Sequence, residues 1–251
     1  MVASTIAIGA FRARALDLGG ALAAIVVGTA TYGALGFSGA LVLLAFFMTS
    51  IGLSRVGKRR KTALLVDVDK TGARDAAQVF ANGGVAAACA LLALALDARY
   101  AAAFAGAFAA ATADTWGTEI GTLARGKPHS ILTLRPIATG LSGGVTFVGT
   151  LAECAGALFV AGVAVGVHLV VARSGVAIAL GGIAGALTDS VLGASVQSLR
   201  WCARCRRATE REPHVCGATT TPLRGLTWFG NDAVNFVATL VGAGAAFALV
   251  R

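Results

Sequence analysis

The chain has 251 residues, of which 57% are hydrophobic and only 13% charged, with 33 glycines and a formal net charge of +9. Soluble domains carry about 25% charged residues, and the mean hydropathy here is +0.78. This excludes a disordered chain, a nucleic-acid-binding domain and most soluble enzymes, and leaves one polytopic, all-α transmembrane bundle over residues 1–251 whose small residues let helix backbones approach.

Residues 1–17 read as an interfacial helix or as an extension of the first span. Arg12 and Arg14 follow the apolar stretch, the wrong order for a signal peptide. Apolar segments then run over roughly 18–36, 38–54, 79–97, 100–120, 148–172, 176–198 and 233–250. Crossing ~30 Å of hydrocarbon takes about 20 helical residues, so about seven spans are expected. The first two are separated only by the turn-like Gly36-Phe37-Ser38-Gly39. The segments 55–75, 121–140 and 199–225, with Arg12 and Arg14, hold 18 of the 21 basic residues. With seven spans these all fall on one side, leaving Arg99, Arg173 and Arg251 on the other. The positive-inside rule then makes the N-terminus cytoplasmic and the C-terminus external, in a multi-pass protein of the cell membrane.

Polar groups at membrane depth are costly and usually functional. Counted inward from the outer end of each span at ~1.5 Å per residue, Asn82 and Asp114 lie about 22 Å deep and Asp189 about 24 Å. Asp75, Glu153 and Asp232 come out deeper, near the cytoplasmic interface. One polar cavity open to the cytoplasm accounts for them all. Asp75, Gln78 and Asn82 share a helical face. Asp114 and Glu119 are five apart, about 140° around a helix, so both face one ion only if the helix bends, which Gly117 would permit. Asn231-Asp232 opens a span and suits an N-cap. Carboxylates and amides without histidine suit a hard cation such as Mg2+. Its usual companion, phosphate, needs cations and free backbone N–H groups. Arg74, Arg125, Lys127 and Arg135 supply the first, and Gly140-Leu141-Ser142-Gly143-Gly144, ahead of a helix, the second.

Residues 72–84, 113–121, 188–193 and 231–235 together resemble, in order, the integral membrane family that includes the plant phytyl-phosphate kinase. A fainter pattern, Asp114-Thr115, Gly126-Lys127-Pro128 and then 139–144, is similar to CDP-diacylglycerol synthases and to dolichol and phytol kinases, which use CTP with a divalent metal. Arg135-Pro136-Ile137 departs from the lysine-rich run usual there. The resemblance implies transfer of the γ-phosphoryl group of CTP, or of another nucleotide, to an isoprenoid monophosphate. On that reading Arg74, Asp75, Asp114 and Asp189 form the catalytic set. Asp114, Glu119, Asp189 and Asp232 are the candidate Mg2+ ligands. Gln78, Asn82, Thr115, Thr118, Lys127, Ser142, Gly143, Gly144, Asn231 and Asn235 are the candidate nucleotide and phosphate contacts. The acceptor is already ionised near neutral pH, so no general base is assigned. Membrane lipid is a further expected partner, nucleic acid is not, and a homodimer is left open. Two alternatives stand beside the kinase: a membrane cytidylyltransferase making a CDP-lipid, and an ion or lipid transporter. The apolar outer halves of the spans favour an enzyme over a transporter.

Of the five cysteines, Cys89 and Cys154 lie in apolar segments and read as core residues. Cys202, Cys205, His214 and Cys216 share the polar segment 199–225 and offer four candidate ligands for a structural zinc ion, although His-x-Cys is an unusually tight second pair.

Overall fold

The computed structural model describes residues 2–68 and 72–250. Lys70 and Arg251, which entered the charge pattern above, lie outside the described residues. Helix α1 (Val2–Arg12) buries Ala7 and Ala10 against Leu16 and Ala21. The chain leaves helical geometry at Arg14, with φ 55°, and Asp17 caps the next helix by accepting from Gly20 N at 2.7 Å. α1 is therefore a separate element and not an extension of the first span.

Helix α2 (Leu18–Arg55) is 38 residues long, about 57 Å if straight and far more than one crossing requires. It is not straight. Gly36 is non-helical, with φ 60° and ψ −148°, a conformation open mainly to glycine. A Cβ placed on Gly39 would lie 3.3 Å from Thr31 Cγ2, and Arg55 Nη2 reaches the Ala13 carbonyl at 3.4 Å. The two arms, 18–35 and 37–55, thus fold back on each other at the turn that the sequence marks.

The short basic helix α3 (Lys58–Leu64) precedes α4 (Ala76–Ala95), whose N-terminus is closed by a capping box between Asp75 and Gln78. Four more helices complete the bundle: α5 (Arg99–Gly121), α6 (Phe147–Gly166), α7 (Ser174–Ser195) and α8 (Asn231–Leu249). By length and composition α2, α4, α6, α7 and α8 are apolar enough to cross a membrane. α5, which carries Asp114 and Glu119, is instead the buried centre: every residue from Ala101 to Ala113 is buried, and α2, α4, α6, α7 and α8 all pack on it. Alanine makes this arrangement geometrically accessible, because small side chains let five neighbours approach one axis. Large apolar side chains such as Leu94, Leu158, Leu180 and Leu240 point outward and are exposed, as a lipid-facing surface requires. The protein is a polytopic helical membrane protein.

The tightest crossing joins α5, α7 and α8. A Cβ on Gly242 would come within 2.7 Å of the Gly106 carbonyl, and one on Gly181 within 2.5 Å of the Gly242 carbonyl. Backbone cannot retreat as a side chain can, so Gly242→Val is expected to destabilise the bundle by about 1–3 kcal/mol, read as a lowered melting temperature in detergent.

Two small sheets lie outside the bundle. β1 (His129–Ser130) pairs with β2 (Gly144–Val145). β3 (Leu199–Cys202), β4 (Arg207–Thr209) and β5 (Thr221–Arg224) form an antiparallel sheet in the order β4-β3-β5. The segment 199–225, which the sequence marks only as polar and basic, is thus a sheet whose strands of three or four residues are too short to show alternation.

The connections sort to two ends. At one, Leu16 bridges Arg74, Thr209 bonds the Asp67 carbonyl and Ser142 bonds Glu210, which gathers the basic segments together. At the other, Ser38 Oγ donates to the Val167 carbonyl at 2.7 Å and the Arg99 guanidinium lies 4.7 Å from the Phe247 ring centroid.

A candidate active site in a carboxylate-lined cavity

A cavity of about 340 Å³ opens among the helices at the basic end. Its character changes from one side to the other. Leu16, Ala24, Val27, Leu43, Phe46 and Phe47, from the hairpin arms of α2 and the stretch before it, make an apolar flank with Phe108. Asp114, Glu119, Glu153 and Asp189 make an acidic wall, and Gln78, Asn82, Asn231 and Asn235 add amides from α4 and α8.

Asp114 projects from α5 one turn before Thr118 and lies within electrostatic reach of Glu119. Asp189 comes from α7 and lies within electrostatic reach of Asp114, Glu153 and Glu210. Its Oδ2 is buried and has no hydrogen-bond partner among the described residues. An orphaned carboxylate oxygen among like charges is expensive, and a proton or a cation would relieve it. Oxygen donors from Asp114 and Asp189, with Glu153 in reach, form a hard donor set that fits Mg2+.

Glu153, named in the sequence as a deep polar residue but not placed in the site, belongs to this wall. The signal for it was Gly117, which in the sequence offered only a point where the helix could bend. α5 instead runs through Gly117 as one helix to Gly121. A Cβ at 117 would meet Glu153 Cγ at 2.5 Å and Oε1 at 2.7 Å, so the glycine is the seat of the Glu153 side chain. The clash is with a flexible side chain, so Gly117→Ala is expected to fold normally while displacing Glu153. If the cavity is an active site, a turnover loss of up to about 10²-fold, the scale of a 1 Å misplacement, with an unchanged melting temperature would show this.

Glu119 lines the same cavity and lies within electrostatic reach of Asp114, but its Oε2 is paired with Lys61 Nζ at 2.5 Å. Lys61, which entered the sequence reading only as one of the loop charges, is buried and also donates to the Leu53 carbonyl at 2.7 Å.

Arg74 lines the cavity and is anchored through its backbone, its N–H donating to Ala15 O at 3.0 Å and its carbonyl accepting from Asp17 N at 3.1 Å. Burial lowers its pKa and the Glu119 carboxylate opposes that shift; an arginine nonetheless stays cationic at neutral pH. The neighbouring Asp75 is not in the wall. Its Oδ1 accepts from Gln78 N at 2.9 Å, and Gln78 Oε1 accepts from Asp75 N at 3.1 Å, so these side chains serve the α4 cap. Asn82 Nδ2 donates to the Gln78 carbonyl, and the Thr115 hydroxyl donates to Ala111 O. Asp232 sits in the first turn of α8, where the cap is Gly230 and not Asn231, and it too is outside the wall. Lys127 is exposed at the rim, between the lining residues Gly126 and Pro128.

The glycine turn 140–144 lines the cavity as expected, but three of its N–H groups are engaged, that of Leu141 by the Ala138 carbonyl at 3.3 Å. Ser142 N donates to Glu210 Oε1 at 2.8 Å and Gly144 N to Leu141 O at 3.3 Å. Gly143, at φ 80°, lies so close to α7 that a Cβ would sit 2.4 Å from Ala194 N. The turn thus packs on the end of the helix that carries Asp189. Sequence reasoning missed Glu210, which arrives from the sheet segment after β4.

This combination of a helical membrane bundle and a buried acidic cavity has relatives. The chain belongs to the family Integral membrane protein DUF92, whose model matches residues 1–243, in agreement with the family resemblance read from the four motifs. Protein PGR of Arabidopsis thaliana is 31% identical over 272 residues, covering 96% of this chain and 91% of that protein. An uncharacterised membrane protein of Methanocaldococcus jannaschii is 33% identical over 185 residues, covering 73% of this chain and 75% of its own length. The chloroplastic protein VTE6 of Arabidopsis thaliana is 24% identical over 234 residues, covering 91% of this chain and 63% of that protein. No solved structure matches.

Proposed function

We propose that the protein is a Mg2+-dependent membrane kinase that transfers the γ-phosphoryl group of CTP, or of another nucleotide, to an isoprenoid monophosphate. The observation that carries this reading is the orphaned, buried Asp189 Oδ2 beside Asp114 and Glu153 in one cavity. The apolar flank from Leu16 to Phe47 supports it, because a prenyl monophosphate needs a charged pocket continuous with a greasy one. So does the resemblance to the family of the phytyl-phosphate kinase. Asp114, Asp189 and Glu153 would hold the metal, which supplies charge neutralisation between the phosphates. Arg74 balances the negative charge of the acceptor. In the transfer, an acceptor phosphate oxygen forms a bond to the γ-phosphorus and the bond from that phosphorus to the bridging oxygen breaks, so CDP leaves. The attacking oxygen is already anionic and the bridging oxygen leaves as an anion on CDP, so the residues act by positioning and electrostatics and no protein base is used. The topology that goes with this reading has seven crossings, counting the two arms of α2 and the buried α5, with the basic end and the cavity mouth cytoplasmic.

The reading is tested by incubating the purified protein with Mg2+, CTP and phytyl or geranylgeranyl monophosphate. Prenyl diphosphate and CDP are the expected products. A CDP-lipid with pyrophosphate would make the protein a cytidylyltransferase instead, and no consumption of any nucleotide by folded protein would sink both enzymatic readings.

A further inference from the structure

The sheet at the basic end holds a second cluster of chemistry, apart from the cavity's acidic wall. One ligand atom from each of Cys202, Cys205, His214 and Cys216 lies within 4.8 Å of every other. Tetrahedral zinc, at ~2.3 Å to sulfur and ~2.0 Å to nitrogen, sets its ligand atoms about 3.5–3.8 Å apart. Here Cys202 Sγ and Cys216 Sγ are 3.6 Å apart, and His214 Nδ1 is 3.2 Å from Cys216 Sγ. A disulfide requires ~2.05 Å, and all three thiols are free. The backbone is arranged as in a metal knuckle. Cys202 ends β3, Cys205 N points at Cys202 Sγ at 3.5 Å, and Arg206 takes the left-handed φ of 51° that lets the chain turn into β4.

The imidazole adds an independent observation. His214 is 3% exposed, and its second ring nitrogen, Nε2, lies 3.1 Å from Asp67 Oδ1. A metal-bound histidine almost always donates its other N–H to a carboxylate or carbonyl, which fixes the tautomer that leaves the first nitrogen to the metal. Asp67 comes from a different part of the chain, 147 residues away. It is itself held by Arg207, at 2.9 Å from its Oδ2.

We propose that Cys202, Cys205, Cys216 and Nδ1 of His214 bind a structural zinc ion, with Asp67 positioning the imidazole. With four protein ligands no place is open for substrate, so the ion is structural. Its consequence reaches the cavity. The Asp67 carbonyl accepts from Thr209 Oγ1 at 3.0 Å and from Glu210 N at 2.8 Å, while Glu210 Oε1 accepts from Ser142 N. Leu65 and Val68, on either side of Asp67, line the cavity with Glu210. The zinc-bound sheet thereby clamps the loop before α4 and the glycine turn into one roof. This assignment is independent of the reaction that the cavity catalyses.

The full-length protein, purified in detergent without a metal-affinity step, is expected to carry about one zinc per chain by elemental analysis. Exchange with Co2+ should give the thiolate charge-transfer and visible bands of a tetrahedral site. Cys202→Ser and Cys216→Ser should lose the metal. Asp67→Asn should keep it with about 10–100-fold weaker affinity, measured by competition with a chromogenic chelator. If the cysteine variants do not fold, release of zinc from the native protein by that chelator and its Co2+ spectrum still decide. Protein isolated metal-free from zinc-supplemented cells, protein carrying iron in its place, or cysteine variants with undiminished zinc would each overturn the proposal.

Discussion

Asp189→Asn is expected to lower turnover by about 10²–10³-fold, the scale of removing one preorganised charge contact from a transition state, and to leave the protein folded. Two effects follow from the same atom. Without Mg2+ the native carboxylate is buried, its Oδ2 has no partner, and it faces Asp114 and Glu153. Neutralising it relieves that repulsion, so the metal-free variant should melt no lower than the native protein. With Mg2+ the order reverses. A ligand that binds only the folded state stabilises it by about 2.7 kcal/mol at 100 times its Kd, and the variant should lose most of that increment. Melting curves in detergent with and without Mg2+ read both effects. A variant destabilised in the absence of metal would mean that Asp189 is a structural hydrogen-bonding group and not a cation ligand.

The largest expected stability effect lies one wall away. Lys61 and Glu119 form an ion pair with side chains 5% and 20% exposed. Removing one partner of such a pair strands a charge and costs about 3–5 kcal/mol, whereas replacing both is often neutral. Lys61→Met should therefore lower the melting temperature strongly, and Lys61→Met with Glu119→Gln should recover most of the loss. The pair ties α3 to the end of α5, and Glu119 also faces Arg74. The double variant should regain stability before it regains activity. A double variant no more stable than the single one would show that Lys61 matters only for its bond to the Leu53 carbonyl.

The parts of this protein that are legible in its sequence are those set by one-dimensional rules. Hydropathy marks the helices. The Gly36–Gly39 turn splits a helix too long for one crossing, and the spacing of Asp75 and Gln78 is that of a capping box. The depth count brings Asn82, Asp114 and Asp189 to one cavity because helical rise is constant. What escaped the sequence depends on contacts between elements. Glu153 enters the wall because α6 packs against the bare backbone of Gly117. Glu119 is paired with Lys61, 58 residues away, a partner that no spacing within α5 could show. Asp75 and Asn82 matched a polar stripe on a helical face, yet local backbone groups claim the Asp75 carboxylate and the Asn82 amide nitrogen. The cysteine and histidine spacing was visible, whereas Asp67, which would complete it, lies in another loop.

The most direct measurement is where the γ-phosphorus of CTP goes. CTP labelled at that position is supplied with Mg2+ and geranylgeranyl or phytyl monophosphate to the native protein and to Asp114→Asn, and the lipid and nucleotide products are resolved by mass spectrometry. The account predicts the label in the outer phosphate of a prenyl diphosphate, unlabelled CDP in equal amount, and neither product with the variant. Label in released pyrophosphate beside a CDP-lipid, or equal turnover by native protein and variant, would contradict it.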